Sequence, residues 1–139
     1  MENVLKLCSM KGYFEFKNDI YPRRLWVAIG ATPKELAEQF ENGTDEGLVI
    51  DKSYEAVTFE EVNQKDRDLV GELVLFRSKK AMAMDIIAHE ASHVCDFIED
   101  AIGMEHGGEA SAYLIGWITR CIARAKEGIG KYIDTEKDG

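Results

Sequence analysis

Along the chain, apolar positions change period twice. Tyr13-Phe14-Glu15-Phe16-Lys17 and Arg24-Leu25-Trp26-Val27-Ala28-Ile29 are short runs rich in aromatic and β-branched residues, separated by Asn18-Asp19 and Tyr21-Pro22. This pattern predicts two strands joined by a turn. Thr32-Pro33-Lys34-Glu35 predicts a helix start, with Thr32 as N-cap, Pro33 in the first turn and Glu35 closing a capping box. Leu36, Ala37 and Phe40 give that helix its apolar face, and Asn42-Gly43 ends it. Gly43 to Ser53 is polar except for Leu48-Val49-Ile50 and reads as a loop with one short strand. Tyr54 to Val62 and Gly71 to Arg77 return to strand character across the charged connection Asn63 to Asp68.

From Ala81 the period becomes helical. Met84, Ile87, Ala91, Val94 and Ile98 form one stripe of a helix expected over 81–101. After the glycine-containing turn Gly103 to Gly108, a second long helix is expected from Glu109 to about Lys126. Its stripe is Ala110, Leu114, Trp117, Ile118, Cys121 and Ala125, and Asp134 to Gly139 reads as a frayed tail. The expected fold class is α+β, with a small, mostly antiparallel sheet of about four strands, one short helix and two long ones. No repeat or linker divides residues 1–139, so the expectation is one domain.

The chemistry concentrates in Ala88-His89-Glu90-Ala91-Ser92-His93-Val94. Histidines four apart on a helix lie roughly 40° from each other around the axis, so both imidazoles can reach one ion. Glu90 is placed to touch a water on such an ion, the general-base position of an HExxH site. A helical histidine pair with backbone or carboxylate partners is the plainer alternative. Of three histidines in the chain, two fall in the motif and His106 lies in the turn behind it, which favours zinc. Catalytic zinc takes three protein ligands and an open position. Glu109, on the first turn of the next helix, is the expected third ligand, with His106 and Asp96 as rivals. Asp96, Asp100 and Asp85 fall near the angular position of the pair and are candidates to hold an imidazole from outside. Tyr113, one turn beyond Glu109, is a candidate donor to an oxyanion, and Gly116 on the same face suggests a close helix approach.

A formal net charge of -9 argues against nucleic-acid binding by phosphate neutralisation and against an anionic membrane surface. Neither a leader nor a span of transmembrane length is visible, so the expected location is the cytoplasm. Cys8, Cys95 and Cys121 have no paired spacing, consistent with reduced thiols, and Cys95 is expected in the core. Glu72 to Arg77, before the motif helix, is expected as an edge strand that takes up an extended peptide.

His89-Glu90-Ala91-Ser92-His93 followed by Glu109 resembles the gluzincin zinc metallopeptidases. Glu109-Ala110-Ser111-Ala112-Tyr113-Leu114-Ile115-Gly116-Trp117-Ile118 is similar to small metallopeptidase-like proteins of bacterial viruses and prophages. The resemblance covers about Glu72 to Arg120. It implies a minimal zincin-like fold, Zn2+ on His89, His93 and Glu109, Glu90 as general base, and a peptide or protein substrate. Thermolysin-like members carry an aspartate four residues after the ligand glutamate, where this chain has Tyr113. A non-catalytic assembly or regulatory protein on the same fold is the alternative.

Overall fold

The computed structural model describes residues 12–42 and 54–129. The expectations for Gly43 to Ser53, for the 134–139 tail and for Cys8 lie outside these residues. Five strands, β1 (Tyr13–Lys17), β2 (Arg24–Ile29), β3 (Phe40–Asn42), β4 (Ala56–Gln64) and β5 (Leu69–Phe76), form one sheet in the order β1-β2-β5-β4-β3. The helices are α1 (Pro33–Gln39), α2 (Met84–Ile102) and α3 (Gly108–Lys126). The class is α+β.

β1 and β2 form the expected hairpin, with Tyr13 opposite Ala28 and Lys17 opposite Arg24. The Asn18 side-chain oxygen closes the turn by accepting from the amides of Ile20 and Tyr21 at 2.7 and 2.9 Å. The Thr32–Glu35 capping box is present in both directions. The strand count exceeds the expected four because Phe40 leaves the helix. It adopts φ -128° and ψ 147°, pairs with Gln64 and packs edge-on against Trp26 at 5.0 Å. Aromatic burial and a sheet ladder at Phe40 outweigh one further helical residue.

One pairing is parallel: β2 runs beside β5, from Arg24 opposite Gly71 to Ile29 opposite Phe76. β5 is therefore central, flanked by β2 and β4, which corrects the edge-strand expectation for Glu72 to Arg77. A strand hydrogen-bonded on both sides has no ladder left for a peptide. A central strand is also buried on both faces, and β5 is buried from Gly71 to Phe76. Gly71 is required there, because a Cβ would lie 2.0 Å from the Arg24 carbonyl oxygen.

Both long helices cover one face of the sheet. Phe14, Phe16, Leu25, Val27, Val74 and Phe76 meet Ile87, Ala91, Val94 and Ile98 of α2 and Leu114, Ile118 and Ile122 of α3. Tyr13, Trp26, Leu73 and Leu75 form a second cluster on the other face with Leu36 of α1. Lys79–Ala81 is a separate 3-10 turn capped by Ser78, so the motif helix begins at Met84 rather than Ala81. Met84 is 87% exposed and does not join the stripe: side chains tilt toward a helix N-terminus, so the first residue projects past the helix end. Ala110 is likewise exposed. Among the described residues no helix is long and apolar enough to cross a membrane.

Candidate metal and catalytic site

α2 faces the sheet with Ile87, Ala91, Val94 and Ile98, which leaves His89 and His93 on its exposed flank. Their Nε2 atoms are 3.1 Å apart, with the rings edge to face at 81°. His93 is stacked on Phe97, one turn along, with centroids 6.1 Å apart and planes 15° apart. Two nitrogens bound to one tetrahedral zinc at 2.0–2.1 Å stand about 3.3 to 3.4 Å from each other, so the pair fits one ion with a small movement. Both rings are open to solvent, which gives an ion or a substrate atom access.

Glu90 lies on the adjoining flank, against β4, and is buried. Its Oε1 accepts a 2.7 Å hydrogen bond from Thr58 Oγ1, while Oε2 is turned toward the pair, 3.9 Å from His89 Nε2. Burial among apolar neighbours would penalise an unpaired carboxylate. The Thr58 hydroxyl satisfies one oxygen and fixes the direction of the other. Sequence reading missed Thr58. The available signal was strand alternation, which puts Thr58 on the helix-facing side with Ala56, whereas its partner on α2 depends on the sheet order.

The remaining expected residues are placed elsewhere. Cys95 Sγ lies 3.7 Å from Ser111 Oγ, so Ser111 is where α3 meets the motif helix. Glu109 is exposed and Tyr113 is 77% exposed. On a helical wheel Glu109 is about 120° or more from Leu114, Ile118 and Cys121, so it faces away from the packed side of α3. Among the described residues no third histidine, cysteine or carboxylate shares a 4.8 Å cluster with His89 and His93. Gly116 is exposed, and a Cβ at that position would meet nothing within 4 Å, so it mediates no close helix approach. Trp117 is half-buried against the helix-side core, and Cys95 is buried as expected, its thiol pushed up to about 11 by burial.

Asp96 and Asp100 turn to His106 rather than to the motif imidazoles. His106 Nε2 is 2.9 Å from Asp100 Oδ1, and Nδ1 is 2.8 Å from Glu99 Oε1 and 3.5 Å from Asp96 Oδ1. These hydrogen bonds, from Glu99 first and Asp100 second, raise the His106 pKa above its ordinary value. Further along the sheet, Glu72 on β5 is fully buried and paired with Arg23, which also reaches Glu61 at 3.2 Å. Burial pushes the Glu72 carboxyl up to about 7 against the opposing pull of Arg23. Comparison with family models, curated proteins and solved structures finds no match.

Proposed function

We propose that the chain is a zinc-dependent metallohydrolase acting on peptide bonds, with His89 and His93 as metal ligands and Glu90 as general base. The observation that carries this reading is the His89–His93 pair, nitrogens 3.1 Å apart, with a Glu90 oxygen oriented toward it. When bound, zinc would lower the pKa of a water and polarise the scissile carbonyl. Glu90 takes the proton from the attacking water through Oε2 and delivers it to the leaving amine. Thr58 keeps Glu90 from rotating away, and Phe97 limits the swing of the His93 ring.

Glu109 is the third ligand in this proposal through the gluzincin resemblance. Reaching the pair requires the start of α3 to move, and Gly103 and Gly107 in the turn before it and Gly108 at its first position are all at positive φ. The peptide itself would add at the outer edge of β4: among the described residues β3 pairs only with Val62 to Gln64, while Ala56 to Phe59 pair with β5 alone. That edge runs beside Glu90 through Thr58. The exposed positions of Glu109 and Tyr113 favour a second reading, a binding protein that keeps the histidine pair without turnover.

Zinc stoichiometry and peptide hydrolysis measured together on wild type, His93→Ala and Glu90→Gln test the proposal. One zinc bound by the motif, lost in His93→Ala and kept in Glu90→Gln, with hydrolysis only in wild type, is the expected result. Full hydrolysis by Glu90→Gln would remove Glu90 from its role, and zinc with no hydrolysis in any protein would support the binding reading.

A further inference from the structure

β2 and β5 run parallel side by side, yet the chain leaves their C-terminal ends toward opposite faces of the sheet. Gly30 and Ala31 lead from β2 to α1, whose Leu36 packs with Trp26 and Leu73. Arg77 to Ala81 lead from β5 to α2, whose Ile87 and Ala91 pack with Val27 and Val74 on the other face. Where neighbouring parallel strands send their connections to opposite faces, a crevice opens beyond the strand ends, and open sheets bind small molecules there. Here it is a cavity of about 550 Å³, within the roughly 300–1,000 Å³ of small-molecule sites. Phe14, Ile29, Ala31 and Ala125 give it an apolar lining, and Arg77, Lys79 and Lys126 line it as well. Among the described residues none of these three cations is in an ion pair, although acidic residues outnumber basic ones 26 to 17 in the chain. Lys126 is half-buried, and its ammonium donates at 2.8 Å to the carbonyl oxygen of buried Met82 without a counter-ion. A charge so placed is costly unless an anion completes it. Of the two carboxylates on the lining, Glu35 is engaged in capping α1 and Glu127 is exposed at the end of α3. The carbonyls of Ala123, Arg124 and Ala125 are taken by the amides of Glu127, Gly128 and Ile129, which tempers the repulsion of an anion by that helix end.

We propose that this crevice binds a small organic anion, with an apolar body against Phe14, Ile29, Ala31 and Ala125 and one carboxylate or phosphate head among Arg77, Lys79 and Lys126. The guanidinium offers two parallel donors to either head, and the ammonium groups act as point charges. Gly30 lines the cavity without a side chain to fill it. A bound head would bridge the end of α3 to the turn before α2, where Lys126 already meets Met82. The site shares no residue with His89, His93, Glu90 or Thr58, so it goes beyond the hydrolytic reading and does not rest on it.

The test is a titration of the full chain with octanoate and with octyl phosphate, followed through amide chemical shifts, below micelle-forming concentration and with EDTA present so that no metal contributes. The expected result is one-to-one saturation by at least one of the two anions, with shifts at Gly30, Ala31, Ser78 and Lys79. Binding should weaken about 10-fold or more in Lys126→Met and in Arg77→Gln combined with Lys79→Gln. Octanol, the same body without the charge, should bind at least about 10-fold more weakly than the anion. Arg77 and Lys79 are exposed, so their double variant should keep the fold by circular dichroism and remains decisive if Lys126→Met does not fold. No saturation by either anion, binding unchanged in the double variant, octanol binding as tightly as the anions, or shifts confined to other residues would overturn the proposal. None of these readouts uses zinc or hydrolysis, so the metallohydrolase reading stands or falls separately.

Discussion

Glu72 provides a direct test of how the buried charges beside the site are balanced. The side chain is fully buried on β5, two residues from Val74, the partner of Thr58. Burial raises its pKa from 4.5 to about 7, with Arg23 acting in the opposite direction. A raised carboxyl pKa means that the folded state holds a proton that the unfolded state releases. The sign follows: stability is greatest below about 4.5, falls as pH rises, and levels off above about 7. At about 1.4 kcal/mol for each tenfold change, the ionised form costs about 3 kcal/mol, most of it incurred between about pH 5 and pH 8. Glu72→Gln resembles the protonated state and leaves Arg23 its contact with Glu61. Urea unfolding of both proteins at about pH 5 and pH 8 reads the effect. Wild type should lose about 2 to 3 kcal/mol more than Glu72→Gln over that range. Equal losses would show that the Arg23 ion pair, rather than desolvation, governs Glu72, and would refute the reasoning.

Thr58→Val removes the hydroxyl that holds Glu90. A hydrogen bond to an ionised group is worth about 1.5–3 kcal/mol, so under the metallohydrolase proposal kcat on a peptide substrate should fall about 10- to 100-fold, while Thr58→Ser keeps most of it and zinc content is unchanged in both. Gly71→Ala brings a Cβ to 2.0 Å from the Arg24 carbonyl oxygen and should destabilise the fold by about 1–3 kcal/mol or more through strain between β2 and β5, read as a lowered unfolding midpoint.

The local elements and the geometry of the histidine pair were legible in the sequence. The capping box at Thr32 and Glu35, the hairpin across Asn18 and the helical stripe of Ile87, Ala91, Val94 and Ile98 depend on contacts between near neighbours, which leave a periodic or motif signature. The i, i+4 spacing of His89 and His93 likewise places two nitrogens together without reference to the rest of the fold. Sheet order was not legible. The parallel pairing of β2 with β5 joins strands about 40 residues apart across the α1-β3-β4 connection, and it turned the expected edge at Glu72 to Arg77 into a central strand. Helix rotation was equally a tertiary matter: the core contacts of Leu114, Ile118 and Ile122 decide that Glu109 and Tyr113 face outward. The same packing brought Thr58 to Glu90 and Glu99 to His106, partners 32 and 7 residues apart. A one-dimensional pattern records which face of an element is apolar, whereas the element that covers each face is chosen only when the whole chain closes on its core.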